Sequence, residues 1–517
     1  MRKTVKLGNL FRKSELIAFK TTLIVGVITH LFALTNVLHN YDSIGLQPYG
    51  YGTGLESGRW LLSILAWRAI DWFGQYNVMM FNGLLMILCL AAAAALFVSV
   101  YELKEKSAIC IGAIFATAPA VTSTMFFRYT TPFYGLAILL AVLAVWFLEK
   151  FRWGLLPSLG CTAMALGIYQ AYTPLTIGMF VLLLMQHTLR NETSVGKLIL
   201  KGLYYCVSIA LGLAAYYGAL QFLLGHYNLA LNDYQGISGM GNMSLSGLLS
   251  SARYAIVTYF QMPLTNYCDL AQTKPVTLSY LLLDGMLLLI IAYVLLTRVR
   301  KILPTILMAV LIVFFALGVG FIEVMVPDGF VYTIMVFSYV LVLCAPVVLW
   351  ELVELPEKES LKKIGQAVGA AVTALVLFVC VNYAYQADTN YTALYYANQK
   401  TENYLNSLVV QVRMTEGFTA DKEWALIGEI EDPMFADTWK SVPTFGGNTS
   451  FGFLVNDYAQ YAWPREYLGV EVPYASPERT AELARTEQVK AMPCWPDAGS
   501  IAVVENTMVV KFQELSN

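Results

Sequence analysis

The stretch from His39 to Trp60 is the richest part of the sequence in side chains able to do chemistry, with Asp42, Glu56 and Arg59 bracketing glycines at positions 50, 52 and 54. Glycine at alternate positions permits left-handed backbone or the close approach of a ligand. The run is not a P-loop, because no Gly-Lys-Ser/Thr ends it and no strand precedes it, and Leu55 breaks a Gly-x-Gly-x-x-Gly pattern. The alternative is an ordinary glycine-rich turn with Asp42 capping a short helix. Two shorter segments have a similar polar-aromatic character, Phe126-Phe127-Arg128-Tyr129-Thr130-Thr131-Pro132-Phe133-Tyr134 and Tyr169-Gln170-Ala171-Tyr172-Thr173-Pro174. Their tyrosines suit an interfacial aromatic belt. Arg128 is different, since a lone arginine among aromatics at a lipid boundary needs an anion.

The elements that must position these residues are membrane spans. Of the 517 residues, 57% are apolar and only 13% charged, against about 25% charged in soluble domains. Mean hydropathy is +0.58. Disordered, coiled-coil, collagenous and disulfide-scaffold classes are excluded. A span needs ~20 mostly apolar residues. Eleven stretches qualify, near 17–38, 77–100, 108–125, 133–148, 155–171, 174–189, 200–224, 276–297, 303–322, 330–350 and 364–384. Alternating from a cytoplasmic N-terminus, 19 of the 24 bases in residues 1–384 fall on the inner side, as the positive-inside rule requires. The first span is too long for a signal h-region and no small-residue cleavage site follows it, so it is expected to be retained.

On the opposite side five bases remain: Arg59, Arg68, Arg128, Arg253 and Lys274. The acids there are Asp42, Glu56, Asp71, Asp233, Asp269, Asp284, Glu323 and Asp328. Charges in this zone cost several kcal/mol unless paired or facing a polar cavity, so they are functional candidates. No stripe of bases suggests nucleic-acid binding. Six of the eight cysteines fall in or beside spans and read as packing residues, and no cysteine–histidine cluster suggests zinc. Only Cys268 and Cys494 lie where a disulfide could form. Within 225–275, Met243–Tyr259 has helical apolar spacing, which fits either an interfacial helix or packing against the spans.

Residues 385–517 form a second body with 18 acids and nine bases. Strands around Trp424–Ile427 and Ile501–Val504 and a helix around 477–490 predict a small α+β domain. The expected architecture is therefore an all-α polytopic membrane domain of about eleven helices, residues 1–384, followed by an extracytoplasmic α+β domain, residues 385–517. Trp439, Tyr458, Tyr461, Trp463 and Trp495 are either sugar-stacking side chains or that domain's core.

The basic tail, the single span and the loop containing Asn40-Tyr41-Asp42, Tyr51-Gly52-Thr53-Gly54 and Ser57-Gly58-Arg59-Trp60 resemble the phage-type serotype-converting (type II O-antigen) glucosyltransferases of the GT-C superfamily. The similarity of layout extends over roughly residues 10–385. It implies transfer of glucose or a related hexose from a polyprenyl-phosphate-linked donor to a cell-surface glycan, on the extracytoplasmic face of a bacterial plasma membrane. In that chemistry one carboxylate base suffices, because the lipid phosphate is a good leaving group. Asp42 takes that role, with Glu56 as a second acid or as the partner orienting Arg59. Arg59 and Arg128 bind the donor phosphate, while Tyr129, Gln170 and Tyr172 are substrate-binding candidates. Attack assisted by such a base inverts the anomeric carbon. No cofactor is expected, and the absence of an Asp-x-Asp pair in the loop gives no reason to require a divalent metal. The competing readings are a GT-C enzyme for another lipid-linked sugar, and a transporter or flippase of lipid-linked sugars. The latter usually shows internal repeats and midplane ionisable groups, and no repeat is visible.

Overall fold

The computed structural model describes residues 12–45, 54–74, 78–232, 244–265, 267–326, 330–430, 444–447, 454–455 and 459–514. Gly50, Gly52, Asp233, Asp328, Trp439 and Tyr458 lie outside the described residues. The chain divides into two compact units: Met1–Thr35, Thr53–Asp388 and Pro443–Gly447 in the first, and Asn36–Gly52, Thr389–Val442 and Asn448–Asn517 in the second.

The first unit is helical. After α1 (Lys13–Thr35), the described helices of this unit run α3 (Trp60–Phe73), α4 (Met79–Tyr101), α5 (Glu105–Thr117), α6 (Pro119–Met125), α7 (Thr131–Lys150), α8 (Leu155–Ile168) and α9 (Thr173–Arg190). They continue through α10 (Val195–Tyr227), α11 (Leu245–Gln261), α12 (Lys274–Val294), α13 (Ile302–Val319), α14 (Ile322–Met325), α15 (Val340–Trp350) and the start of α16 (Glu359–Met414). Among the described residues nine helices are long and apolar enough to cross a membrane. Two shorter apolar helices, Leu155–Ile168 and Phe337–Trp350, correspond to the remaining expected spans. The chain is a multi-pass membrane protein.

Proline sets several helix starts. Pro132, Pro174 and Pro275 sit in the first turns of α7, α9 and α12, where a missing N–H and a fixed φ fit the helix without loss. Pro119 does the same for α6 and forces Ala118 out of helical geometry, which breaks the third span into α5 and α6. Small residues let backbones approach closely. A Cβ on Gly112 would stand 2.8 Å from the Ala18 carbonyl oxygen, and one on Gly135 would stand 2.8 Å from Met86 Cα.

Ion pairs gather one end of the bundle. Lys13 meets Glu105 at 2.9 Å, Lys104 meets Glu351 at 3.2 Å, Arg190 meets Glu102 at 3.4 Å, Lys201 meets Glu149 at 2.9 Å and Arg298 meets Glu354 at 3.5 Å. The exposed pairs among them contribute roughly 0–1 kcal/mol each. Their importance is topological, because they bring to one face the ends that an alternating path assigns there.

Of the expected helical stretch Met243–Tyr259, Met243 lies outside the described residues and the part from Leu245 belongs to α11, with Leu245, Leu248, Leu249 and Phe260 exposed while Ala255, Thr258 and Tyr259 are buried. That face suits an interfacial helix. α3 lies inside the first long loop and has no counterpart in the sequence reading. Leu62, Ser63 and Ala66 of α3 are buried, whereas Trp72 and Phe73 are exposed.

In the second unit, α2 (Tyr41–Gly45), the part of α16 from Thr389, α17 (Ala459–Leu468), α18 (Pro477–Ala484) and α19 (Glu487–Ala491) accompany a three-stranded sheet. The strands β1 (Trp424–Ile427), β2 (Ile501–Val504) and β3 (Thr507–Lys511) lie in the order β1-β3-β2, with β1 parallel and β2 antiparallel to β3. Ala425, Ile427, Leu483, Val489 and Val509 form the core beneath it. Lys511 is fully buried, and its ammonium donates to the carbonyls of Lys490 and Met492 and to Glu514. Trp463 and Trp495 are buried, so they belong to the core; Tyr461 is exposed. All eight cysteines are free thiols.

Candidate functional site

The short loop before α3 is the foundation of the site. Leu55–Ser57 form a 3₁₀ turn, and Gly58 closes it at φ 75°, in the left-handed region that favours glycine. Gln170 donates its side-chain amide to the Ser57 carbonyl and to the Tyr216 hydroxyl, each at 3.1 Å. The Tyr216 hydroxyl donates to the Gly58 carbonyl at 3.1 Å. On the other side, the Asn232 N–H donates to the Glu56 carbonyl at 2.9 Å, and the Asn232 amide donates to the Ser57 hydroxyl at 3.2 Å. Glu56 itself points to the exterior.

This anchored loop delivers Arg59 to a cluster of tyrosines. The guanidinium donates to the Tyr134 hydroxyl at 3.2 Å and lies 4.8 Å from the centre of the Tyr169 ring. Tyr134 and Tyr169 stack at 4.3 Å with 9° between their planes, and Tyr172 meets them edge-on at 6.0 and 5.3 Å. A cation over a ring face is worth ~0.5–2 kcal/mol, most where water is excluded. The arginine is thus oriented by rings from α7 and from the turn between α8 and α9. By sequence alone Tyr134 and Tyr169 read as belt residues; their pairing with Arg59 spans 75 positions or more.

Arg128 sits in the turn before α7 with 4% exposure. Asn82 donates to its carbonyl at 2.9 Å, and the Thr130 N–H donates to the Phe127 carbonyl at 3.0 Å. Burial pushes the guanidinium down to about 10, which leaves it charged at neutral pH. Tyr129 beside it is also buried and meets Phe127 edge-on at 6.5 Å.

A second cluster in the first unit was visible in the sequence only as two separate acids. Glu323, 6% exposed, accepts a hydrogen bond from the Tyr267 hydroxyl. Burial raises its carboxyl above the usual range, and the Tyr267 hydrogen bond offsets this in part. Cys268 and Asp269 next to it are both left-handed at φ 55°, a conformation that costs a non-glycine residue ~1–2 kcal/mol. The Thr333 hydroxyl donates to the Cys268 carbonyl and accepts from the Gly446 N–H, and the Ser123 hydroxyl donates to the Gly446 carbonyl. Segment 444–447 is therefore fixed among residues more than a hundred positions away, a contact that no local pattern signals.

Asp42 belongs to the second unit. The cap of its short helix is Asn40, whose side-chain oxygen accepts from the Ser43 N–H at 2.7 Å. Asp42 lies in the first turn and is half-buried, so the capping role considered for it falls to Asn40. The preceding residue, His39, is held by Asn398 of α16. The Asn398 amide donates to the His39 carbonyl at 2.9 Å, and its oxygen accepts from the His39 N–H at 3.0 Å and from the Tyr467 hydroxyl at 3.0 Å. The His39 ring meets Tyr467 edge-on at 4.3 Å.

Of the residues singled out from sequence, Arg59, Gln170 and Tyr172 are brought together. Gln170 is 7% exposed and holds the loop that carries Arg59. Among the described residues no group of three His, Cys, Asp or Glu side chains is placed to hold a metal ion.

No curated protein and no solved structure matches the chain. The family model described as Glucosyl transferase GtrII matches residues 31–343, a range that contains the Asp42 helix, the Arg59 loop, both proline-closed turns and Glu323 with Tyr267. A helical multi-pass body and a match over more than half the sequence lead to one conclusion: the chain belongs to the GtrII glucosyltransferase family and is a membrane glycosyltransferase.

Proposed function

We propose that the protein transfers glucose or a related hexose from a polyprenyl-phosphate-linked donor to a cell-surface glycan. The reaction runs on the extracytoplasmic face of a bacterial plasma membrane, with the N-terminus cytoplasmic and the second unit extracytoplasmic. The observation that carries this reading is the seat of Arg59, a cation fixed by Tyr134 and Tyr169 at the end of the bundle opposite the ion-paired bases. A fixed guanidinium at a membrane boundary suits a phosphate that arrives on a lipid.

In the proposed reaction Asp42 removes the proton from an acceptor hydroxyl. That oxygen bonds to the anomeric carbon as the bond from that carbon to the phosphate oxygen breaks, and the phosphate leaves with the electron pair. Arg59 and Arg128 stabilise the charge that develops on it. Attack opposite the leaving group inverts the anomeric centre. Glu56 is the second acid, Gln170 positions Arg59 through Ser57, and Tyr129 and Tyr172 shape the substrate site.

The test supplies purified protein with polyprenyl-phosphoglucose or with a glucose nucleotide as sole donor and assigns the product anomer by NMR. Transfer from the lipid donor with inversion is expected. Transfer from the nucleotide alone would overturn the donor assignment, and retention would overturn single displacement.

A further inference from the structure

A cavity of about 1310 Å³ opens in the first unit between the starts of α1 and α5, the end of α15 and the first turns of α16. Four bases, Arg12, Lys13, Lys104 and Lys106, stand at its mouth with two acids, Glu105 and Glu351. Lys13 is paired with Glu105 at 2.9 Å and Lys104 with Glu351 at 3.2 Å. Glu15, buried beside the mouth, accepts from the Arg12 backbone N–H at 2.8 Å; among the described residues neither the Arg12 nor the Lys106 side chain has an ion-pair partner, so four bases against three acids leave the mouth with surplus positive charge. The walls are different in character. Val347 and Trp350 of α15 face Ala370, Ala374 and Leu377 of α16, and the short side chains on α16 leave the trough open. Ala370 and Ala374 are exposed on a helix whose apolar stretch is long enough to cross a membrane.

Cations at the water boundary above an apolar trough complement an amphiphile with an anionic head. The volume exceeds the roughly 300–1,000 Å³ of ordinary small-molecule pockets. A free anion would leave the apolar walls unfilled. We propose that this cavity binds an anionic phospholipid of the bilayer, its headgroup at Arg12 and Lys106 and an acyl chain against α15 and α16. The site lies at the end of the bundle where the ion pairs gather and is independent of the chemistry assigned to Arg59.

The experiment titrates the purified full-length protein in neutral detergent with phosphatidylglycerol, with phosphatidylcholine of the same chains, or with inorganic phosphate. Melting temperature and lipid retained in native mass spectrometry are read together. Phosphatidylglycerol is expected to be retained and to raise the melting temperature, with little effect from the other two. Arg12→Gln combined with Lys106→Gln should weaken that retention roughly 30-fold, about fivefold per base. Ala370→Trp should abolish it with both bases in place. Equal retention of phosphatidylcholine, unchanged retention in the charge variant, or the full temperature rise from inorganic phosphate alone would overturn the proposal.

Discussion

Asn40 and Asp42 are two positions apart, and the structure gives the helix cap to Asn40, which separates it from the base role proposed for Asp42. Because Asn40 supplies the helix cap, Asp42→Asn should leave the melting temperature nearly unchanged while glycosyl transfer falls ~10²–10⁴-fold, the usual loss for a positioned base. Asn40→Ala should do the reverse, costing ~1 kcal/mol of stability with turnover nearly normal. An Asp42→Asn enzyme that melts early but turns over would remove the base assignment. For Arg59, replacement by Ala should lower kcat/KM for the donor by tenfold or more, the loss of a charge-assisted hydrogen bond of ~1.5–3 kcal/mol. Lys should recover part of it, since an ammonium can lie over Tyr169 but lacks the planar fork. Unchanged kinetics in both Arg59→Ala and Arg128→Ala would exclude the phosphate role. Arg59 and Arg128 could be singled out as candidates because a lone charge at a membrane boundary is conspicuous. The duty of Gln170 could not, because its partner Ser57 lies 113 positions away.

At the scale of elements, the turn at Gly58 governs where Arg59 points. A Cβ there would stand 2.5 Å from the Tyr216 hydroxyl and 2.7 Å from the Gln170 amide nitrogen, on a backbone already at φ 75°. Gly58→Ala should therefore cost ~1–2 kcal/mol in stability and also raise the donor KM, measured by thermal unfolding and steady-state kinetics on one preparation. A normal KM would separate the turn from the arginine it carries. The buried Glu323 gives a pH test with a definite sign. Its carboxyl is raised on folding, so its contribution to stability is present in acid and lost as pH rises. Relative to the parent, Glu323→Gln should become more stable as pH rises above the ordinary glutamate range; a pH-independent difference would show that the carboxyl does not titrate there. Hydropathy located the spans well, and short apolar runs located β1 and β2. The third strand, Thr507–Lys511, escaped notice because its last residue is a lysine, buried through two carbonyls of another segment and the Glu514 carboxylate. Likewise α3 was hidden in a loop, since 14 residues with one buried stripe resemble neither a span nor a turn.

For the whole molecule, the distribution of bases proved the most informative property of the sequence, because the ends it grouped are the ends that ion pairs join. The direction of insertion is tested by a cysteine introduced at the C-terminus of a cysteine-free variant: labelling by an impermeant reagent in intact cells is expected, and labelling only after permeabilisation would reverse the topology. What sequence could not reveal is that the second unit is discontinuous, drawing residues 36–52 from one end of the chain and 389–517, less 443–447, from the other. Asn398 closes that unit by gripping the backbone of His39, 359 positions earlier. During synthesis, the segment bearing Asp42 therefore emerges among the first and waits for nearly the whole polypeptide before its partners exist. A nascent chain released at 388 would insert its helices yet carry the Asp42 segment undocked. With Asp42 as the proposed base, premature termination would thus produce an inert protein rather than an uncontrolled transferase.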